Sequence, residues 1–171
     1  TLHTLDFRNE IVGEYMFYNC YGLINVTVSS VDSNGVPTNS VTEIRYGAFE
    51  NCYNIETMVI PFVGQYANSD ESVYSEDNTK EYYGISNSVL GWIFGKQRSN
   101  EELDTDLYVN ITQKYRGETD QEGNALPHTE TYKFPKKIDT ITVTSDKELS
   151  YGAFSYTWVP NYVFTEDTRE S

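Results

Sequence analysis

Histidine and cysteine are scarce in this chain, which carries only His3 and His128 beside Cys20 and Cys52. Neither histidine has a second ligand at zinc-site spacing, so H-E-x-x-H and Cys/His zinc sites are excluded. G-x-S-x-G, G-x-G-x-x-G and G-x-x-x-x-G-K-[ST] are all missing, which removes the commonest hydrolase, dinucleotide and phosphate-cradle signals. Basic residues are few: 12 Lys and Arg stand against 26 Asp and Glu, for a formal charge of −14 and a pI near 4.4. Phosphate binding draws on clustered Lys and Arg, so no nucleic-acid partner is expected. No apolar run reaches the roughly 18 residues of a membrane-spanning helix, and mean hydropathy is −0.56, so no membrane insertion is expected. A secretory signal is also missing. The chain opens on Leu2, Leu5 and Phe7, which read as the tail of a preceding unit, so a piece of a longer protein is expected.

What the chain does have is a repeat. Ile44 to Pro61 runs Ile-Arg-Tyr-Gly-Ala-Phe-Glu-Asn-Cys-Tyr-Asn-Ile-Glu-Thr-Met-Val-Ile-Pro, and Val12 to Val28 matches it with Phe17, Cys20, Leu23, Val26 and Val28 in phase with Phe49, Cys52, Ile55, Met58 and Ile60. Phe17 and Phe49 are 32 residues apart. Leu149 to Phe154 repeats the first half of the unit. The apolar spacing L-x-x-L-x-L occurs at Leu2/Leu5/Phe7, Leu23/Val26/Val28, Ile55/Met58/Ile60 and Ile138/Ile141/Val143, with Val159/Tyr162/Phe164 as a looser fifth copy.

The last two positions of each triplet are two residues apart, which is strand periodicity. One such strand is too short to stand alone, but beside its copies it gains a hydrogen-bond ladder and buries one side. Leu5, Val26, Met58 and Ile141 should therefore stand side by side. The Ala-Phe-x-Asn-Cys segment reads as a tight return, with Phe filling the core and Asn satisfying turn backbone. Equivalent positions in neighbouring units lie about 5 Å apart. A disulfide between Cys20 and Cys52 could span that distance, but a small buried hydrophobe with both thiols free is the simpler reading.

The units I-x-x-G-A-F-x-N-C-x-x-I-x-x-M-x-I-P and L-x-x-G-A-F resemble the BspA-type leucine-rich repeats of bacterial surface proteins. Pro61-Phe62-Val63-Gly64, Gly91-Trp92-Ile93-Phe94-Gly95 and Phe134-Pro135-Lys136-Lys137-Ile138 look like a long-repeat variant of the same type. The resemblance implies a leucine-rich-repeat solenoid, of the α/β class by convention, strand-dominated with short helical turns. It also implies a secreted or cell-surface bacterial protein that adheres to host or neighbouring-cell proteins.

The chain reads as one domain over 1–171, with coils at about 1–60 and 138–165 and an insertion or expanded coil at 61–137. Within the insertion, residues 69–82 are polar and acidic, and Ser88 to Phe94 suggests a short helix or turn docked on the side. Alternation at Leu107/Val109/Ile111 and Tyr132/Phe134 predicts an antiparallel hairpin from about 106–115 to 128–135. Its turn would hold Gly117, Asp120, Gly123 and Asn124. Asp120 to Asn124 is the one candidate for a weak calcium ion, although it lacks EF-hand spacing. Asn25-Val26-Thr27 and Asn110-Ile111-Thr112 have the form of glycosylation sites, unused in a bacterial protein.

No catalytic constellation is evident, so the chain is read as a non-enzyme without cofactor or metal. The core of the repeat is assigned to Phe17, Cys20, Leu23, Val26, Val28, Phe49, Cys52, Ile55, Met58, Ile60, Ile138, Ile141, Val143 and Phe154. Thr4, Asp6, Asn25, Thr27, Thr57, Val59, Thr140 and Thr142 alternate with the buried strand positions and form the candidate ligand face. The 15 tyrosines supply further contact area, and the aromatic residues of the insertion are an equal candidate. A protein-binding module is the leading expectation, an architectural spacer the alternative, and an enzyme with its site in 61–137 the third.

Overall fold

A computed structural model describes residues 2–28, 34, 41–66, 87–119, 121–122, 125–144 and 153–165. Alternating β-branched and large apolar residues build its principal sheet, because such side chains fit a pleated surface with one face buried. The five strands of that sheet are β1 (Thr4–Phe7), β3 (Asn25–Val28), β5 (Thr57–Ile60), β8 (Thr140–Val143) and β9 (Asn161–Phe164), all parallel and in chain order. The register is the one the triplets predict: Leu5, Val26, Met58, Ile141 and Tyr162 are paired across the sheet. Val26, Val28, Met58, Ile60, Ile141 and Val143 are buried, whereas Leu5 and Phe7 on one outer strand and Tyr162 and Phe164 on the other are partly exposed.

The return segments stack as well. Phe17 lies on Phe49 with ring centroids 5.3 Å apart and planes 15° from parallel, and Tyr21 lies on Tyr53 at 5.0 Å. Asn51 Nδ2 donates to Asn19 Oδ1 at 3.0 Å. The stacked backbones are bonded by Phe17 N–H to Ala48 O (2.9 Å) and Asn19 N–H to Glu50 O (3.1 Å). Asn thus makes a side-chain ladder between units, beyond the turn-capping role expected of it.

The same bonding pattern continues into the insertion. Gly47 N–H donates to Trp92 O (3.0 Å) and Phe49 N–H to Ile93 O (2.9 Å), so Ile93 takes the place of Ala48 and Phe94 that of Phe49. Trp92 to Phe94, at the end of a 3-10 helix Leu90–Ile93, therefore forms a third return within the stack, where a side-docked element was expected. Behind it the chain leaves the sheet in the predicted hairpin, β6 (Tyr108–Thr119) against β7 (Ala125–Pro135), with Val109 opposite Phe134 and Ile111 opposite Tyr132. A small parallel pair, β2 (Ile11–Val12) and β4 (Glu43–Ile44), joins the first two units on a second side.

The expected leucine-rich-repeat solenoid of the α/β class with short helical turns is corrected here. The described residues contain no α-helix; their helical character is confined to 3-10 turns at 87–93, and the fold is a five-stranded parallel sheet with two smaller sheets. The physical reason lies in the returns. Asn19 (φ 61°), Asn51 (φ 63°) and Tyr156 (φ 57°) are left-handed at the second residue after each Phe, and Tyr15 (φ 53°) and Gly47 (φ 62°) at the second residue before it. A left-handed residue every fourth position reverses the chain before an α-helical turn can propagate.

Candidate functional site

The candidate face is the outward side of the principal sheet. Its eight expected residues fall into two rows, Thr4, Asn25, Thr57 and Thr140 in one and Asp6, Thr27, Val59 and Thr142 in the other. Strand β9 extends the rows with Asn161 and Val163, which were not assigned to the face although the fifth triplet had marked that strand. Neighbouring members of a row are separated by the strand spacing, about 4.8 Å. Thr57 Oγ1 donates to Asn25 Oδ1 at 2.7 Å, and Thr140 Oγ1 to Asp139 Oδ2 at 2.9 Å, so part of the hydroxyl surface is oriented by its own neighbours. Asp6 is paired with Arg8 at 2.7 Å, and that hydrogen bond holds its carboxyl below the usual aspartate value.

Of the assigned core, Leu23, Val26, Val28, Phe49, Cys52, Ile55, Met58, Ile60, Ile138, Ile141 and Val143 are buried, while Phe17, Cys20 and Phe154 pack against them from partly exposed positions. Both cysteines are free thiols. Cys52 Sγ lies 3.0 Å from Phe17 O, and burial pushes its thiol up to about 12, which makes it a poor nucleophile.

A second region, not anticipated from the sequence, is the polar seam between the hairpin and the stacked returns. Lys133 is 1 % exposed; its Nζ donates to Asn51 Oδ1 and Glu101 Oε1, each at 2.6 Å, and lies 4.9 Å from the Tyr108 ring centre. Glu50, also buried, accepts from Arg98 Nε at 3.0 Å, and the Arg98 guanidinium covers Tyr18 (5.0 Å) and Tyr15 (5.6 Å). Gln113 is wholly buried. Its Oε1 accepts from Gly91 N–H at 2.6 Å, and its Nε2 donates to Ala153 O and Ser155 O at 3.1 and 3.3 Å. Every partner here satisfies a neighbour, which gives the seam a structural role. The sequence signal for it was slight: Gln113 is a polar residue on the side of β6 that carries Val109 and Ile111, whereas Lys133 alternates with Tyr132 and Phe134 and reads as outward-facing.

A third region is a furrow along the starts of the parallel strands. It opens into a cavity of about 250 Å³ lined by Lys136, Lys137, Ile138, Asp139, Trp158 and Pro160. A smaller one of about 110 Å³, with Lys137 in common, reaches Asn54, Glu56, Tyr21 and His3. His3 Nδ1 lies 3.0 Å from Gly22 O. His128 is elsewhere, stacked on Tyr115 at 5.7 Å.

No group of three or more His, Cys, Asp or Glu that could hold a metal is present among the described residues. In the calcium candidate, Gln121 and Glu122 are exposed, and Asp120, Gly123 and Asn124 lie outside the described residues, as do residues 69–82. No helix of the described residues is long and apolar enough to cross a membrane. No protein-family description, curated protein or solved structure matches this chain.

Proposed function

We propose that this chain is a non-catalytic protein-binding module of a bacterial cell-surface or secreted protein, contacting its ligand through the outward face of the principal sheet. The observation that carries the reading is the pair of in-register rows. At the centre of the face, short hydroxyl and amide side chains stand on β3, β5 and β8, whose opposite sides are buried, so that part of the face is rigid and loses little entropy on binding. Its centre carries little charge although the chain as a whole is acidic, which suits a contact surface that must be desolvated. The resemblance of the Gly-Ala-Phe-x-Asn-Cys units to BspA-type repeats supports the extracellular setting and an adhesive role.

The test is capture of extracellular-matrix and host-surface proteins by the chain and by a Thr57→Lys/Thr140→Lys variant. Binding by the parent and an approximately tenfold or greater loss in the variant is the expected result. Undiminished binding by the variant would move recognition to the hairpin. The absence of any captured protein, with the chain folded, would favour the architectural spacer.

A further inference from the structure

We propose that the furrow at the strand starts is a carbohydrate-binding site that takes neutral pyranose units. The first observation is what the furrow cannot do. His3 O accepts from Ile24 N–H (2.9 Å) and Asn25 N–H (3.1 Å); Ile24 O accepts from Glu56 N–H (2.8 Å) and Thr57 N–H (3.2 Å); Glu56 O accepts from Asp139 N–H (2.8 Å) and Thr140 N–H (3.3 Å). Asp139 O likewise accepts from Asn161 N–H (3.0 Å) and Asn161 Nδ2 (3.3 Å). A carbonyl has two lone pairs, and both are engaged at each of these strand starts. An extended peptide that adds main-chain hydrogen bonds therefore has no acceptor on these carbonyls, and a ligand in the furrow must be read by side chains.

The side chains present suit a sugar. Trp158 is 50 % exposed and offers its ring at the wall of the larger cavity, an apolar platform for the C–H face of a pyranose. Beside it Asp139 Oδ2 accepts from Thr140 Oγ1 (2.9 Å) and Asn161 Nδ2 (3.3 Å). Those bonds fix the carboxylate and leave Oδ1 without a protein donor among the described residues. Glu56 has no side-chain hydrogen bond or ion pair among the described residues, and it presents a second carboxylate farther along the furrow. Asn54 Nδ2 donates to Tyr21 O (2.7 Å) and Lys137 Nζ to Asn54 Oδ1 (2.6 Å), so three consecutive units hold one donor–acceptor chain in place. Fixed carboxylates and amides beside an aromatic platform match vicinal hydroxyls, which both donate and accept. Two lysines, Lys136 and Lys137, balance the carboxylates of Glu56 and Asp139, so the furrow has no net charge to select an anionic sugar. The larger cavity, about 250 Å³, has room for a small ring.

The experiment is a glycan array probed with the labelled chain. It is followed by calorimetry and tryptophan-emission titration with the best-bound oligosaccharide, and with a Glu-rich decapeptide as comparison. The expected result is saturable binding of a neutral oligosaccharide with a change in emission. Trp158→Ala and Asp139→Asn should each weaken it by about tenfold or more while circular dichroism stays that of the parent. Trp92, packed edge-on against Tyr46 at 5.0 Å, should account for the emission that remains in Trp158→Phe. Thr27→Lys/Thr142→Lys, two residues farther along the outward face and outside the lining of both cavities, should leave sugar binding unchanged, which separates this site from the protein-binding face. No reproducible glycan, binding that survives Trp158→Ala, or saturable binding of the acidic peptide alone would each overturn the proposal.

Discussion

The stacked units and the inserted hairpin are held by opposite means. In the stack like meets like: Phe17 on Phe49, Tyr21 on Tyr53, Asn19 on Asn51, Val26 beside Met58. At the hairpin every contact is unique, and its most buried polar members, Gln113 and Lys133, have no counterpart in another unit. A periodic interface tolerates imperfection at one step because the next repeats it. The hairpin interface depends on a few buried polar groups, each costly to leave unpaired.

The largest test of this contrast is Phe49→Ala. Phe49 is 0 % exposed and central in the stack, so its truncation should cost about 3–5 kcal/mol in urea unfolding. Phe17→Ala, at a partly exposed position, should cost clearly less; equal costs would show that the stack is not graded from its edge. Next is Gln113→Ala, which strips partners from Gly91 N–H and from the Ala153 and Ser155 carbonyls. A loss of about 2 kcal/mol is expected, with amide exchange accelerated at Gly91 and Lys114 and little changed in β3 and β5. Uniform acceleration would mean that hairpin and stack unfold as one.

Acid should separate the two regions more gently. Burial works to raise the Glu101 carboxyl, but the hydrogen bond and charge of Lys133 outweigh it and hold it below the ordinary value of 4.5. A depressed carboxyl stabilises the fold above its unfolded value and loses that contribution as pH falls through the lower, folded one. The Lys133 seam should therefore loosen below about pH 4.5, as seen by amide exchange of β6 and β7, and Glu101→Gln should remove that step. An unchanged profile in the variant would refute the assignment. The smallest effect is chemical: at pH 8, iodoacetamide should label Cys20 and spare Cys52 until the chain unfolds, read by mass spectrometry. Early labelling of Cys52 would mean that the stack opens on its own.

The parts of the fold that repeat were legible, and those that do not repeat were not. Five triplets sufficed to place every strand of the principal sheet and its register, because a slip by one residue would turn Val26, Met58 and Ile141 to solvent. The hairpin was readable from its alternation, within a few residues of its ends. Gly91 to Gly95 was read as a variant of the repeat, but its place within the stack was missed, because Trp92-Ile93-Phe94 stands where Gly-Ala-Phe would and keeps only the Phe. Helical turns were expected through resemblance, whereas the residues themselves, with Asn two positions after Phe17 and after Phe49, carried the left-handed break. The outward rows followed from strand alternation. The furrow could not be foreseen, since it joins His3, Asn54, Asp139 and Trp158 from four units.

The gap in chain order between β5 and β8 has a kinetic consequence. Strands β1, β3 and β5 follow one another over connections of 17 residues (8–24) and 28 residues (29–56), and β6 can zip onto β7 alone. To seat β8 beside β5, however, the chain from Ile60 to Thr140 must first be gathered in. Loop-closure entropy grows only logarithmically with length, yet this closure is the longest in the sheet. The β5–β8 junction is thus expected to be the last seam to close during folding, with the hairpin, once docked through Gln113 and Lys133, as the brace that brings its two edges together.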